Sequence, residues 1–178
     1  VAAYLAKDGF RVTVLEKNDE TGGRARYWES GGYRFDMGPS WYLMPEVFDR
    51  FFGDFGRTTA DYYELKRLDP SYKVFFSTDE DVTITPDLGK TAALFDSFEP
   101  GGGQKLRNYL QLSQYKYDVA MRDFLYKDYR KAGDFLNRRL LIEGSRLKIF
   151  QSLDKNVSRY FSDRRAKQIL EYAMVFLG

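Results

Sequence analysis

The stretch EKNDETGGRARYWESGGYRFDMGPSW, residues 16–41, places two glycine pairs and an Asp-Met-Gly-Pro sequence among charged side chains. Glycine lets backbone N–H groups come close to a phosphate because no Cβ blocks the approach. Arg24 and Arg26, directly after the first glycine pair, add positive charge and forked donors. The stretch is therefore either a binding loop or an ordinary flexible loop, and the neighbouring residues decide between the two.

The residues before this loop have the pattern of half a βαβ unit. VAAYLAKDGF, residues 1–10, predicts a helix that Gly9 ends, and RVTVLE, residues 11–16, is typical of a buried parallel strand. In dinucleotide-binding units, an acidic residue at the end of the second strand accepts hydrogen bonds from a ribose, and Glu16 occupies that position. Because the chain begins inside the helix, without the glycine fingerprint that precedes it in such units, we expect a fragment.

In the rest of the chain, the spacing of the apolar residues changes twice between the helical and the strand pattern. Residues 18–32 are predicted as loop, Tyr33 to Asp36 as a strand, and PEVFDRFFG as a helix behind Pro45. Three short antiparallel strands are predicted next, in YYELKRLD, YKVFFST and DVTITP. A short helix in TAALFDSF and a long one over 104–129 follow, and further helices are expected across 132–152 and 153–177. The predicted apolar face of the long helix comprises Leu106, Tyr109, Leu110, Ser113, Tyr117, Ala120, Met121 and Phe124.

Composition removes several classes of chemistry. The 178 residues contain no cysteine and no histidine, which excludes disulfides, Cys/His zinc sites and serine–histidine triads within this span. A net charge of +2 is too small to favour a nucleic-acid partner. No apolar run approaches the ~18 residues of a membrane-spanning helix. A bound cofactor is therefore a better source of chemistry than the side chains, and no metal site is predicted.

Together, these motifs resemble a known family. Glu16-Lys17, Gly22-Gly23-Arg24 and the run from Gly31 to Ser40 look like the opening of the FAD-dependent, amine-oxidase-like flavoproteins. They resemble most closely the bacterial-type carotenoid desaturases, which are the phytoene and diapophytoene desaturases. Later stretches resemble the same family in order along nearly the whole chain: MPEVFDRFF, YYELKRLDPSYKVFF, FEPGGGQKLRNYL and SRYFSDRRAKQILEYAMVFLG.

The resemblance implies an α/β plus helical fold. A truncated Rossmann-like FAD-binding domain would occupy residues 1–61, a β-hairpin region of the substrate domain 62–98, and a helical substrate or cap region 99–178. Glu16 would bind the ribose of FAD, the Gly-Gly-Arg segment would lie along the pyrophosphate, and the Gly-Pro-Ser segment would approach the isoalloxazine. The implied cofactor-binding residues are Glu16, Lys17, Gly22, Gly23, Arg24, Gly38, Pro39 and Ser40.

The reaction that the resemblance implies is desaturation of a phytoene-like polyene hydrocarbon. A hydride leaves an allylic carbon for the flavin and a neighbouring proton is lost, with quinone or oxygen as the final electron acceptor. No catalytic residue is assigned within this span. Other flavoenzymes of the group stay open as alternatives, namely amine oxidase, protoporphyrinogen oxidase-like and retinol saturase-like enzymes, as does a non-catalytic relative with a decayed flavin site.

Basic residues alternate with apolar ones in the helical region. A basic helix with an apolar face can lie on an anionic bilayer surface, and a polyene substrate must be taken from lipid. We therefore expect a cytoplasmic protein associated peripherally with a membrane, the alternative being solvated helix faces packed on a core. The cations concerned are Arg138, Arg139, Arg146, Lys148, Arg159, Arg164, Arg165 and Lys167.

Overall fold

The computed structural model describes residues 1–38, 41–131, 151–172 and 174. The chain divides into two compact units, Val1–Leu65 and Lys66–Gly178. The first unit contains α1 (Ala2–Lys7), β1 (Tyr27–Ser30), β2 (Tyr33–Asp36) and α2 (Pro45–Gly53). The second contains β3 (Tyr72–Phe75), β4 (Asp81–Ile84), α3 (Leu88–Phe98), α4 (Gly102–Val119), α5 (Leu153–Val157) and α6 (Arg164–Glu171).

Aromatic rings hold α1 against the C-terminal end of α2 in the first unit. The ring centroid of Tyr4 lies 5.7 Å from that of Phe51 and 5.2 Å from that of Phe55, and its hydroxyl donates to the Asp54 carboxylate at 2.7 Å. Both helices confirm the sequence prediction. No described residue of this unit is buried, however, so the rings form a contact rather than a closed core.

The predicted parallel strand at residues 11–16 is wrong for this structure. These residues form neither helix nor strand, and Val14 and Leu15 are 71% and 92% exposed. A buried parallel strand needs neighbouring strands to bond its peptide groups. Among the described residues the only strand pairs are β1–β2 and β3–β4. The side chains of Val14 and Leu15 therefore stay in water.

A hairpin replaces part of the predicted loop. Strand β1 lies within residues 18–32 and pairs with the predicted strand β2, with Trp28 opposite Phe35. The turn between them is Gly31-Gly32, with φ of 58° and 81°. A two-residue hairpin turn of this hand needs positive φ at both positions, which glycine adopts without strain. The second glycine pair thus closes a hairpin.

Two of the three strands predicted between residues 62 and 86 are confirmed. Strands β3 and β4 pair antiparallel, from Tyr72 opposite Ile84 to Phe75 opposite Asp81. The third, in YYELKRLD, is wrong because its aromatic residues pack on α2 instead. The ring of Tyr62 stacks on Phe52 with centroids 4.6 Å apart.

The second unit has a closed core between its hairpin and its helices. Phe95 of α3 and Phe161, just before α6, are 0% and 1% exposed, and their rings meet edge to face at 5.3 Å. The helical prediction for 153–177 is confirmed where the structure describes that region, which contains two separate helices, α5 and α6, capped by Ser152 and Asp163. The buried cluster comprises Ile84, Phe95, Leu106, Tyr109, Val157, Phe161, Ala166 and Ile169.

The long helix is confirmed, but only two of the eight residues of its predicted apolar face are buried. Leu106 and Tyr109 are buried, whereas Tyr117 is 39% exposed and Val119 only 2% exposed. Val119 lies roughly 100° around the helix from the stripe through Leu106 and Tyr109, so the second half of α4 buries a different side. A π-helical turn, Ala120–Phe124, then ends the helix, short of the predicted residue 129.

Candidate functional site

The Gly-Gly-Arg segment forms a tight turn that depends on both glycines. Gly22 has φ 110° and ψ −19° and precedes a 3₁₀ turn, Gly23–Ala25, while Gly23 has φ 56°. The turn closes where the Ala25 N–H donates to the Gly22 carbonyl at 2.9 Å. Residues with a Cβ rarely adopt these angles. Backbone rather than side-chain atoms therefore shape this surface.

Gly38 packs directly against this turn. A Cβ built on Gly38 would lie 1.9 Å from the carbonyl oxygen of Arg24, so only glycine fits there. Beside it, the Met37 N–H donates to the Arg26 carbonyl at 2.9 Å and extends the β1–β2 ladder to the turn. The structure thus brings together two of the motifs that the sequence singled out. Pro39 and Ser40, the other predicted residues here, lie outside the described residues.

Glu16 is exposed and its carboxylate is held locally. One oxygen, Oε1, accepts the backbone N–H of Asn18 at 3.0 Å and the side-chain Nδ2 of Asn18 at 2.9 Å. No described residue bonds to the second oxygen. The carboxylate is therefore oriented, with one oxygen available to accept hydrogen bonds from a ligand.

A groove of about 440 Å³ lies beside the turn. Lys17 is the predicted site residue that lines it, and Arg26 and Met37, the neighbours of the Gly-Gly-Arg turn and of Gly38, line it as well. The full lining is Lys17, Asn18, Asp19, Glu20, Arg26, Tyr27, Trp28 and Met37. The lining includes two cations and two carboxylates, so the groove suits a ligand with both polar and charged parts better than a simple anion.

Sequence reasoning missed Tyr27 and Trp28 because residues 18–32 were predicted as loop. The Gly31-Gly32 pair between two aromatic-rich runs is a recognised hairpin signal and could have located them. In the hairpin, the Arg34 guanidinium lies 3.5 Å from the centroid of the Tyr27 ring. Trp28 and Phe35 face each other with centroids 5.6 Å apart. The hairpin thereby forms one wall of the groove.

These features fit a dinucleotide-like cofactor. The turn at Gly22–Gly23 and the contact at Gly38 expose backbone without Cβ atoms, Glu16 presents an oriented acceptor, and Lys17 and Arg26 supply cations. Within the described part of the chain, no group of carboxylates is placed to hold a metal ion. The arrangement can bind and orient a ligand, and the side chains that line it include no nucleophile poised against a base.

Two of the predicted cations that the structure describes form ion pairs within the second unit. Arg165 bonds to Asp163 at 2.8 Å and to Glu80 at 3.0 Å, and Lys167 lies 3.2 Å from Asp154. Residues 138–148, with four of the predicted cations, lie outside the described residues. In the part of the chain that the structure describes, no helix combines the length and apolarity needed to cross a bilayer.

Comparison with known proteins identifies the family. The family of flavin-containing amine oxidoreductases matches residues 1–178. Carotenoid 3,4-desaturase of Haloarcula japonica is 42% identical over 178 residues, covering 99% of this chain and 36% of its own length. The 4,4'-diapophytoene desaturase (4,4'-diaponeurosporene-forming) of Staphylococcus aureus strain Newman is 34% identical over 177 residues, covering 99% and 35%. The chain thus spans about a third of the length of these relatives.

The match extends beyond the glycine-rich loop to the helical region, as the motifs predicted. It also confirms a flavin as the cofactor of the family. The chain belongs to the flavin-containing amine oxidoreductases.

Proposed function

We propose that the protein carrying this chain is an FAD-dependent desaturase of carotenoid-type polyenes. The observation that carries the proposal is the similarity to two enzymes named as desaturases of this class, which runs over 99% of the chain in both cases. The similarity includes the helical region, where other flavoenzymes of the family should differ most. The names of the two relatives also set the substrate classes to be tested.

In this proposal three regions of the chain have different roles. Residues 1–61 belong to a Rossmann-like FAD-binding domain, residues 62–98 to the strand region of the substrate domain, and residues 99–178 to its helical part. None of the described residues of the first unit is buried. This supports its place in a larger domain, because exposed apolar residues such as Leu15 need further structure to cover them.

The geometry of the first unit supports a proposed cofactor site. Glu16 accepts the ribose hydroxyls through the carboxylate oxygen that Asn18 leaves open. The backbone of Gly22 and Gly23 lies along the pyrophosphate with Arg24, and Lys17 lines the groove beside them. Gly38 is assigned to the isoalloxazine side of the cofactor, and the assignment of Pro39 and Ser40 to the same side rests on the family resemblance alone.

A bound flavin supplies the oxidation by accepting the hydride that leaves the polyene. The residues of this chain hold the cofactor, fix its orientation and keep water from its reactive end. Such chemistry needs neither histidine nor cysteine from the protein, in agreement with the composition. The substrate reaches the enzyme from the bilayer surface. The electrons pass from the flavin to quinone or oxygen.

Pigment analysis tests the function. The reading frame that encodes this chain is expressed in full in cells that make phytoene, in cells that make 4,4'-diapophytoene, and in cells that make a carotenoid still saturated at the 3,4 bond. The expected result is a product with a longer conjugated system in one of them. Soluble, flavin-loaded protein that leaves all three substrates unchanged would overturn the proposal.

The cofactor site has a separate test that needs no substrate. Glu16→Gln in the full product removes the charge of the ribose acceptor, and we expect FAD to bind about 10- to 100-fold more weakly, the usual effect of losing a charged hydrogen-bond partner. Asp8→Asn is the matched control, since Asp8 is an exposed carboxylate of the same unit. Equal affinities for the two variants would remove Glu16 from the site.

Sedimentation with anionic and neutral vesicles tests peripheral membrane association in parallel.

A further inference from the structure

Asn18 holds one oxygen of the Glu16 carboxylate with two donors. Its backbone N–H donates to Oε1 of Glu16 at 3.0 Å, and its side-chain Nδ2 donates to the same atom at 2.9 Å. Both distances are ordinary for an N–H···O bond. A single residue therefore holds the carboxylate through two bonds, where the chain leaves the extended residues 11–16 and enters the bend at 17–21.

The acceptor positions that remain on this carboxylate match the donors of a ribose. An ionised carboxylate has about four lone-pair positions, shared equally by its two oxygens. The donors of Asn18 use those of Oε1, and no described residue bonds to Oε2. Oε2 can therefore accept the neighbouring hydroxyl groups of a ribose. The bonds from Asn18 thus determine which oxygen the ligand meets.

The side chain of Asn18 suits this role because it is short and uncharged. Glu16 and Asn18 are both exposed, so the Glu16 side chain would rotate in water if it had no partner. A donor two residues along the chain reaches the carboxylate without help from the rest of the fold. A lysine or arginine at position 18 would add positive charge and compete with the ligand for the carboxylate. An amide orients the carboxylate and leaves its charge in place.

We propose that Asn18 is a positioning residue for the cofactor, which orders the Glu16 carboxylate so that Oε2 accepts the ribose hydroxyls of FAD. The inference rests on the proposed function, which assigns Glu16 to that ribose. An ordered acceptor binds more tightly, because its side-chain freedom is lost before the ligand arrives rather than during binding. Asn18 also lines the groove of about 440 Å³ beside the Gly-Gly-Arg turn, together with Lys17, and so lies close to the other proposed contacts.

Binding of FAD to the full product of the reading frame, prepared without flavin, tests the proposal. Asn18→Ala removes Nδ2 and keeps the backbone N–H. We expect FAD to bind about 2- to 10-fold more weakly, because the cofactor must then order one more flexible side chain. Asn108→Ala is the matched control and should bind FAD as the wild type does. Asn108 is an exposed residue of the second unit whose side chain accepts a hydrogen bond from Gln104 at 3.0 Å.

A double-mutant cycle with Glu16→Ala separates positioning from a direct contact with the cofactor. If Asn18 acts through Glu16, Asn18→Ala has no further effect on FAD affinity in the Glu16→Ala background. An equal loss in both backgrounds would overturn the proposal. ADP carries the adenosine ribose without the isoalloxazine, so Asn18→Ala should weaken ADP and FAD by the same factor. An unchanged affinity for ADP would also overturn the proposal.

Failure of this inference differs from failure of the proposed cofactor site. If Glu16→Ala weakens FAD binding and Asn18→Ala does not, Glu16 remains the ribose acceptor and the positioning role is wrong. If Glu16→Ala has no effect, the assignment of Glu16 is wrong and this inference fails with it. Urea unfolding of the flavin-free proteins should give equal midpoints for the wild type and Asn18→Ala. A lower midpoint for the variant would indicate a structural role and would contradict positioning.

Discussion

Replacing Gly38 with alanine tests the contact on which the candidate cofactor site depends. The new Cβ would lie 1.9 Å from the Arg24 carbonyl oxygen and 3.1 Å from its carbon, whereas ordinary contacts begin near 3.4 Å. The two segments must therefore separate by about 1.5 Å, and overpacking of this kind costs about 1 to 3 kcal/mol. Because the obstacle is backbone rather than a flexible side chain, the upper part of that range applies.

A second contribution comes from the neighbouring hydrogen bond. Separation of the segments lengthens the bond from the Met37 N–H to the Arg26 carbonyl, now 2.9 Å, and its loss adds about 1 kcal/mol. The expected decrease in the free energy of unfolding is therefore about 3 to 4 kcal/mol. Flavin affinity should fall as well, because the Gly-Gly-Arg turn moves with the Arg24 carbonyl.

The assay is urea unfolding of the full product of the reading frame, with an FAD titration of the same preparations. Gly53→Ala is the matched control, since a Cβ there meets nothing within 4 Å. In the last turn of α2 it should leave stability unchanged or raise it by up to about 1 kcal/mol. If Gly38→Ala stays within about 0.5 kcal/mol of the wild type, the ordinary range for harmless surface changes, the close contact is not a determinant of the fold.

Three further predictions concern the second unit. Phe95→Ala should lower the free energy of unfolding by about 3 to 5 kcal/mol in urea, because the ring is fully buried; a loss below about 1 kcal/mol would contradict the core described here. Gly102→Ala should also destabilise, by about 1 to 3 kcal/mol, since its Cβ would lie 2.0 Å from the Phe95 carbonyl oxygen, and urea midpoints matching the wild type would rule that crowding out. Burial raises the pKa of Glu99, but bonds from Lys105 and from the N–H groups of Asp163 and Ser162 outweigh it and hold the pKa below its ordinary value. The stability that Glu99 contributes is therefore present above its unfolded pKa and lost as the pH falls through the lower folded pKa. In Glu99→Gln, the free energy of unfolding should fall less steeply than in the wild type as the pH is lowered through this range. Parallel stability–pH curves for the variant and the wild type would refute this role.

The sequence was informative where local pattern and local chemistry agree. The helix behind Pro45 begins at that residue because proline suits the first turn. The strands β3 and β4 form where β-branched and aromatic residues alternate with polar ones. The sequence singles out the glycines at positions 22 and 38, but only the three-dimensional structure shows that Gly22 has a left-handed backbone conformation and that Gly38 packs closely against Arg24.

Failures arose where a segment's structure depends on distant residues. Residues 11–16 have strand character, but a parallel strand forms only beside neighbours, and the described residues provide none. Tyr62 was placed in a strand by its β propensity, whereas an aromatic partner in α2, Phe52, determines its position. The burial of Val119 likewise depends on what lies against the second half of α4, which helical periodicity alone does not reveal.

The hydrogen bonds of Glu99 also indicate the order in which parts of the second unit can fold during synthesis. Its carboxylate accepts the N–H groups of Ser162 and Asp163 at 2.8 and 2.7 Å, and these donors lie 63 and 64 positions later. At about 5 to 20 residues per second, a ribosome needs roughly 3 to 13 s to add them. Helices α3 and α4 adjoin in sequence and can pack against each other within that interval. The ring of Phe95, in contrast, cannot be covered by Phe161 until Phe161 has been synthesised. The nascent second unit thus carries an exposed apolar surface for several seconds, and this is the interval in which a chaperone would act on it.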